Sequence, residues 1–247
     1  MLEKINGIIM KSKDYGETHR IVTIFSKKFG KITALARGAK KPKSRMAAVT
    51  QPFIFAQFFI YVNKGLSTIQ QGEIINSNRS IREDIIKTAY TAYVMELTDK
   101  ILEDRQGEPY IFEQLQHTMD YIAENEACEI PVIMYEMKLY KKGGFAPKVD
   151  SCVNCGRKEE LVAFSINEGG LLCSRCRHID PESTFLPKPL PKLLYIFSEI
   201  GLERVNNISV KDENKNIMRQ ILDNYYDRYG GYYIKARKFL NQLDLLK

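Results

Sequence analysis

Two pairs of cysteines place the strongest constraint on how this chain can fold. Cys152 and Cys155 form one Cys-x-x-Cys hook, and Cys173 and Cys176 form a second hook after 17 intervening residues. Each hook can turn two thiolates toward one ion at about 2.3 Å, an arrangement that suits tetrahedral Zn²⁺. The spacing therefore predicts one zinc ion held by all four cysteines.

The predicted zinc is structural, because four thiolates leave no open position for water. Two disulfides or four unrelated buried thiols are the alternatives, and a reducing cytosol disfavours disulfides. The basic residues beside the hooks either offset the thiolate charge or contact DNA: Arg157, Lys158, Arg175, Arg177 and His178. His178 is an alternative to Cys176 as the fourth ligand, but the symmetry of the two hooks favours Cys176. Cys128 has no partner hook and is interpreted as a buried or incidental thiol.

The composition is that of a globular protein. The chain has 247 residues, of which 44% are hydrophobic and 27% charged, and this length allows two or three compact units. It contains no apolar run of about 20 residues, and its N-terminus lacks the apolar segment of a signal peptide. We therefore expect a soluble, cytoplasmic protein with no membrane partner.

Positive charge is concentrated in the first third of the chain. Residues 1–80 contain 14 Lys and Arg against 4 Asp and Glu, a net charge of +10, whereas residues 81–247 contain 23 against 26, a net charge of −3. A basic segment of this kind attracts polyanions, of which nucleic acid is the commonest large one in a cytoplasm.

The same N-terminal segment has the pattern of a small β-barrel. Five short alternating runs follow one another, with turn signals between them: KINGIIMK, RIVTIFS, KITALARG, FIFAQFFIYV and STIQQGEII. Five strands suit a closed OB-type barrel, because closure leaves no exposed edge. An SH3-like barrel or a small open sheet is the alternative.

A basic loop, ARGAKKPKSR, follows the third predicted strand. Gly38 and Pro42 keep it out of regular structure, so its cations would project where a polyanion can approach. Its mixture of Arg and Lys suits contact with phosphates rather than with base edges. With the cations of the preceding hairpin, which could join the loop in one groove, the predicted nucleic-acid-contacting residues are Arg20, Lys27, Lys28, Lys31, Arg37, Lys40, Lys41, Lys43 and Arg45.

Beyond Asn78 the hydrophobic period becomes helical. Apolar residues from Ile81 to Ile101 predict one long helix, with Ser80 and Glu83 as its capping box. Further helices are predicted near Pro109, at 131–142, and near residues 187, 211 and 234. We expect an α+β multidomain protein: a barrel domain at 1–79, an all-α domain at 80–148 and 181–247, and a four-cysteine zinc ribbon or finger inserted at 149–180.

Signals for catalysis are weak. The three histidines form no HExxH arrangement, and the chain has no phosphate-binding loop, GxSxG elbow or GxGxxG fingerprint. A carboxylate group on the first long helix, which could hold Mg²⁺ in a nuclease, fits a solvated helix face better: Glu96, Asp99, Glu103 and Asp104. We therefore expect a protein that is not an enzyme.

Three stretches resemble the RecO family of bacterial recombination mediators. GIIMKSKDYGETHRIVTIFSKKFGKI is similar to the family's first hairpin, ARGAKKPKSR to its basic loop, and KKGGFAPKVDSCVNCG to its approach to the first zinc hook. The resemblance covers essentially the whole chain and points to the zinc-containing branch, since some relatives lack the cysteines.

This resemblance implies a non-enzymatic adaptor in DNA repair, located in the cytoplasm at the nucleoid. Such a protein binds single- and double-stranded DNA and anneals complementary strands. With RecR it helps RecA, indirectly, to displace single-stranded-DNA-binding protein, whose acidic C-terminal tail it captures. The alternative is a zinc-ribbon adaptor that binds RNA or a transcription complex.

Overall fold

The computed structural model describes residues 1–205 and 209–244. The chain forms two compact units, each described here by itself. The first contains residues 1–126 and the segment from Ile234 onward, and the second contains Ala127–Tyr233. The predicted boundaries at residues 79, 148 and 180 remain predictions.

The first unit contains a closed five-stranded barrel in the order β1-β2-β3-β5-β4. The strands lie close to the five predicted runs: β1 Leu2–Tyr15, β2 His19–Ser26, β3 Gly30–Ala36, β4 Phe55–Tyr61 and β5 Ser67–Asn76. Strands β3 and β5 are parallel, and the other neighbouring pairs are antiparallel, including β1 with β4, which closes the barrel. The predicted fold class, a five-stranded OB-type barrel followed by a helical region, is confirmed.

Alternating side chains fill the barrel. Ile9, Ile24, Ile54 and Phe58 belong to one apolar cluster inside it and are at most 1% exposed. The residues between them point outward, because successive side chains of a strand lie on opposite faces.

Helices make up the rest of the first unit: α1 Arg45–Val49, α2 Arg79–Glu83, α3 Ile85–Ile101, α4 Pro109–Glu124 and α8 Lys235–Asp244. The predicted single helix is broken after Glu83, and the predicted capping box is wrong. Glu83 instead forms an ion pair with Arg79 at 2.6 Å. Asp84 adopts an extended conformation and caps α3 by accepting hydrogen bonds from the backbone N–H groups of Ile86 and Lys87.

Helices α3 and α4 cover part of the outer surface of the barrel. Ile8 and Phe25 are paired across β1 and β2 and are almost fully buried, although neither belongs to the interior cluster. The ring of Phe25 lies edge-on to Phe112 of α4, with a centroid distance of 5.5 Å. Lys11 of β1 forms an ion pair with Asp99 of α3. The sheet is thus buried on both faces here.

The second unit combines three helices with a small sheet. Its elements are α5 Glu129–Lys142, β6 Leu161–Ser165, β7 Gly170–Cys173, β8 Thr184–Phe185, α6 Pro189–Glu199 and α7 Asp212–Tyr229, with short 3-10 turns at Arg177–Ile179 and Leu202–Arg204. The sheet has the order β7-β6-β8. Tyr225 and Tyr226 of α7 are buried against Tyr140 of α5, so these rings pack the two helices together.

Three buried lysines donate hydrogen bonds to the C-terminal turns of helices. Lys31 donates to the carbonyl of Asp99 in α3 at 2.6 Å, and Lys87 to that of Ala123 in α4 at 3.0 Å. Lys138 donates to two carbonyls of α6, those of Phe197 and Ser198. The last carbonyls of a helix lack intrahelical partners and carry partial negative charge, so an ammonium group stabilises them. These three lysines therefore stabilise helix ends within the fold and are not free surface charges.

Among the described residues, no helix combines the length and the apolar character needed to cross a lipid bilayer.

Gly30 gives a test of how closely the barrel meets the α3–α4 connection. Its φ is +63°, and a Cβ placed on it would lie 2.0 Å from the carbonyl oxygen of Gln106. Gly30→Ala is expected to lower the free energy of unfolding by more than about 1 kcal/mol, as measured by urea denaturation. Gly65→Ala is the matched control, because a Cβ there meets no atom within 4 Å. Equal stability of the two variants would contradict this packing.

Lys138 makes stability depend on pH. Burial lowers its pKa from 10.5 to about 8. Between these values the unfolded chain binds more protons than the folded one, so the free energy of unfolding rises with pH across this interval, by about 3 kcal/mol from this group. In urea denaturation across this range, the stability of the native protein should rise relative to that of Lys138→Met. Parallel curves would contradict the assignment.

Candidate functional site

The four hook cysteines meet at one point in the second unit. Their Sγ atoms all lie within 4.8 Å of one another. Cys152 and Cys173 are fully buried, Cys176 is 7% exposed, and Cys155 is exposed. Within residues 1–205 and 209–244, this is the only group of three or more His, Cys, Asp or Glu ligand atoms close enough to hold a metal ion.

Backbone hydrogen bonds shape each hook. Gly156 donates to the carbonyl of Cys152 at 2.9 Å and has a φ of +74°, which glycine adopts readily. Cys176 donates to the carbonyl of Cys173 at 3.0 Å. Strand β7 ends at Cys173, and Val153 donates to Leu171 in the same strand at 2.8 Å. The two hooks are therefore joined by the sheet itself.

The electrostatics of the cluster fit a cation. Burial opposes ionisation of Cys152, but hydrogen bonds from the backbone of Cys155, Cys173 and Asn154 outweigh it and lower the pKa of Cys152 to about 6. At Cys176 the Asn154 side chain, whose amide donates to Sγ at 3.3 Å, lowers the pKa, yet burial and the other thiols raise it to about 11. A bound metal ion would favour the thiolate form of all four.

The basic loop of the first unit is exposed but anchored. Arg37, Lys40, Lys41 and Lys43 project from turns after β3, and Arg45 begins α1 rather than ending the loop. Ala39 in the middle of the loop is fully buried. The loop thus presents its cations from a fixed base.

Two residues that the sequence analysis did not single out hold this loop. The backbone N–H of Gly38 donates to Nδ1 of His19 at 3.0 Å, and that of Lys40 donates to the carbonyl of Thr18 at 2.9 Å. Both partners lie where β2 begins. The apolar residue inside a basic run, Ala39, was the one signal in the sequence that the loop is anchored.

Arg20 lies beside the loop and is partly engaged. Its guanidinium is 3.4 Å from Asp14 and also 3.4 Å from the carbonyl of Ala47. Lys40 approaches Asp14 at 2.9 Å and lowers the pKa of that carboxyl group. We refer to the following set as the loop surface: Arg20, Arg37, Lys40, Lys41, Lys43 and Arg45.

The other predicted residues lie elsewhere. Lys27 and Lys28 are in the turn between β2 and β3, which is the opposite end of that hairpin from Arg20, because Arg20 pairs with Ala36 and Ser26 pairs with Gly30. Six residue steps along a strand correspond to about 20 Å. The structure therefore does not bring these two lysines into one groove with the basic loop.

Lys31 is enclosed. Its side chain is 7% exposed, and besides the Asp99 carbonyl its ammonium lies 3.5 Å from the carboxylate of Asp99 and 3.2 Å from that of Asp104. A phosphate could reach it only by displacing these partners. Lys31 is therefore held within the first unit rather than presented to a phosphate.

The amino-acid sequence is similar to proteins of one known family over almost its whole length. The family model described as Recombination protein O N terminal matches residues 1–78, and the one described as Recombination protein O C terminal matches residues 82–238. The chain belongs to the RecO family. A protein named DNA repair protein RecO from Oceanobacillus iheyensis is 59% identical over 99% of this chain and 95% of its own length. The corresponding protein of Bacillus mycoides is 47% identical over 99% of this chain and 98% of its own length.

Three of the four carboxylates considered for a nuclease are engaged in this RecO family member, and Glu103 and Asp104 lie beyond the end of α3 rather than on the helix. Asp99 and Asp104 hold Lys31, and Glu96 accepts a hydrogen bond from the backbone N–H of Ala236 at the start of α8, at 2.8 Å. These contacts join parts of the first unit, so the group serves its packing.

The cysteine cluster leads to a test on metal removal. Native protein is expected to carry one tightly bound metal ion and to lose thermal stability when a chelator removes it, because ligation contributes to folding. Cys176→Ser should lose the metal and unfold at least about 5 °C lower, which corresponds to about 2 kcal/mol at this size. Metal analysis and thermal unfolding provide the measurement.

Cys128→Ser is the matched control for this prediction. Cys128 is buried at the start of α5 and lies outside the cluster. This variant should keep the metal whatever its stability. Metal-free native protein that unfolds at the same temperature as the metal-loaded form would contradict a structural metal.

Proposed function

We propose that this RecO family protein is a non-enzymatic recombination mediator. It binds single-stranded and double-stranded DNA, anneals complementary strands, and acts with RecR to help RecA replace single-stranded-DNA-binding protein during repair of gaps. Membership of the family over the whole chain supports this assignment. The structural observation that carries it is the loop surface, where four exposed cations stand on an anchored loop at one end of a barrel and an exposed Arg45 follows at the start of α1.

The loop surface suits the phosphate backbone. Its lysines act as point charges and its arginines offer planar forks, and both can contact phosphates of any sequence. Only Asp14 and Glu17 bring negative charge in the adjoining segment 13–18. Binding releases counterions from the nucleic acid, and this release supplies most of the affinity of a sequence-independent contact. The loop thereby lowers the repulsion that opposes the pairing of two strands.

We assign one structural Zn²⁺ to Cys152, Cys155, Cys173 and Cys176. The donor set is all sulfur, which selects zinc among the common divalent cations, and it fills a tetrahedron. The ion would hold the two hooks together and contribute to the stability of the second unit. It takes no part in chemistry in this proposal.

The recruitment of coated DNA belongs to a different part of the chain. In the proposal, the helical region captures the acidic C-terminal tail of single-stranded-DNA-binding protein, while the barrel holds DNA. RecA is affected indirectly, because the uncovered strand becomes available to it.

Removal of the loop charges tests this function. In the variant with Lys40, Lys41, Lys43 and Arg45 changed to Ala, the slope of log affinity against log salt for short single-stranded DNA is expected to become shallower by up to about 3, at about 0.7 for each lost phosphate contact. Fluorescence anisotropy across a salt series provides the measurement. Annealing of complementary strands coated with single-stranded-DNA-binding protein should fall in parallel.

A matched control distinguishes loss of the loop surface from loss of four positive charges elsewhere on the protein. The second-unit variant changes four exposed lysines of the second unit to Ala: Lys141, Lys142, Lys188 and Lys192. It should keep the native salt slope. Equal slopes for the loop variant and the native protein would refute the assignment of the loop surface, and tight RNA binding with no binding to DNA would favour an RNA-binding adaptor instead.

A further inference from the structure

The barrel carries a second basic surface at the end opposite the loop surface. Lys27 and Lys28 occupy the β2–β3 turn, and Lys4 of β1 lies at the same end, because Gly7 pairs with Ser26. All three lysines are exposed. We refer to Lys4, Lys27 and Lys28 as the turn surface.

The turn surface is concave. The three lysines line a depression of about 350 Å³ together with Ile5, Asn6 and Gln57. Asn6 of β1 pairs with Gln57 of β4, and the side-chain amide of Gln57 donates to Oδ1 of Asn6 at 3.3 Å. None of the six lining residues carries a carboxylate, whereas amide groups and ammonium groups both suit phosphate and sugar oxygens.

Aromatic rings place two of the ammonium groups. Nζ of Lys28 lies 4.8 Å from the centroid of the Phe29 ring, and Nζ of Lys4 lies 5.7 Å from that of Phe59. Each contact favours one direction of a long side chain. Less side-chain entropy is then lost when a phosphate binds.

Two carboxylates lie beside the turn surface, and they leave its lysines able to contact a phosphate. Lys27 is 2.5 Å from Glu113 of α4, and Lys28 is 2.9 Å from Glu3. Both partners of the Lys27–Glu113 pair are exposed, at 55% and 48%, and an exposed ion pair contributes about 0–1 kcal/mol, so a phosphate can replace this carboxylate. The Glu3 side chain is only 12% exposed and stays paired, but the ammonium of Lys28 has three N–H donors and can contact Glu3 and a phosphate together.

The two surfaces are separated by packed structure. They lie about 20 Å apart along the β2–β3 hairpin, and on the outer face of β1 and β2 between them Ile8 and Phe25 are almost fully buried, with Phe25 against Phe112. Lys11 and Lys31, which also lie between the two ends, are paired with Asp99. A strand on one surface cannot continue to the other along this covered face.

We propose that the turn surface is a second binding site for a phosphodiester backbone, so that one barrel holds two DNA strands at once. The inference rests on the proposed function, in which the loop surface binds the first strand. Two strands held on one small barrel meet more often than free strands do, because the second encounter takes place at a high effective concentration.

Energy transfer between two non-complementary oligonucleotides tests this directly. One strand carries a donor dye, the other carries an acceptor, and both are mixed with the full-length protein. Non-complementary strands cannot anneal, so energy transfer reports strands held on the same protein. We expect transfer with the native protein and with the second-unit variant.

Two site variants complete the design. The turn variant changes Lys4, Lys27 and Lys28 to Ala, and the loop variant is the one described above. Each should still bind one labelled strand, and the turn variant should keep the native salt slope for that strand because its loop surface is intact. Both variants should lose energy transfer and anneal bare complementary strands at least tenfold more slowly. An equal mixture of the two variants should not restore transfer, which excludes a pair of proteins that each contribute one strand.

The possible outcomes distinguish failure of the second site from failure of the proposed function. Native energy transfer and annealing in the turn variant, with loss in the loop variant, would overturn the second site and leave the loop surface as the site of the proposed function. Native behaviour of the loop variant would refute the loop surface as the site of the first strand, which is the structural observation on which the proposed function rests. Absence of transfer with the native protein, despite binding of each strand alone, would show that the strands exclude each other and would also overturn the second site.

A gain-of-affinity variant gives an independent check. Glu113→Gln removes the carboxylate that pairs with Lys27 and keeps the shape of its side chain. In the background of the loop variant it should tighten binding of single-stranded DNA by about twofold to fivefold, as expected for loss of one weak competing ion pair. Unchanged affinity together with unchanged salt dependence would count against the turn surface.

Discussion

The packing of α3 and α4 on the outside of the barrel depends on a small patch shared by β1, β2 and β3. Ile8 and Phe25 supply its apolar area, and Lys31 joins it to α3 through the carbonyl and the carboxylate of Asp99. Burying a lysine is costly unless its charge is compensated, and the end of a helix together with a carboxylate compensates it. The contact therefore holds the barrel and these helices in one compact unit.

This patch also determines which cations of the barrel remain available. It covers the middle of the β1–β2 outer face and leaves the two ends of the hairpin exposed. The loop surface occupies one end and the turn surface the other, and the basic excess of the N-terminal third is divided between them. A protein that acts on two strands gains from such a division, because each strand then meets its own cluster of charge.

The cysteine cluster depends mainly on hydrogen bonds between residues that are close together in the chain. Hydrogen bonds across residues 152–176 bring the hooks together, and the short sheet β7-β6-β8 supports them. Arg177, directly after Cys176, lies over the ring of Phe185 at 5.4 Å, so part of the nearby positive charge is held on the surface of the module itself. The module also contacts α7, whose Tyr225 ring lies edge-on to Phe164 and whose Tyr229 hydroxyl donates to the carbonyls of Ile166 and Asn167.

The amino-acid sequence by itself determined the features that depend on neighbours in the chain. Alternation located the five strands, Pro109 marked the start of α4, and the hook spacing predicted the cysteine cluster. The sequence did not reveal the break at Asp84, since apolar periodicity continues across it. Only the tertiary structure decided the role of each lysine: Lys31 and Lys28 are three residues apart, yet one is buried against a helix end and the other is exposed. Partners such as Asp99, 68 residues away in the chain, are brought near by the fold, and no local pattern encodes that proximity.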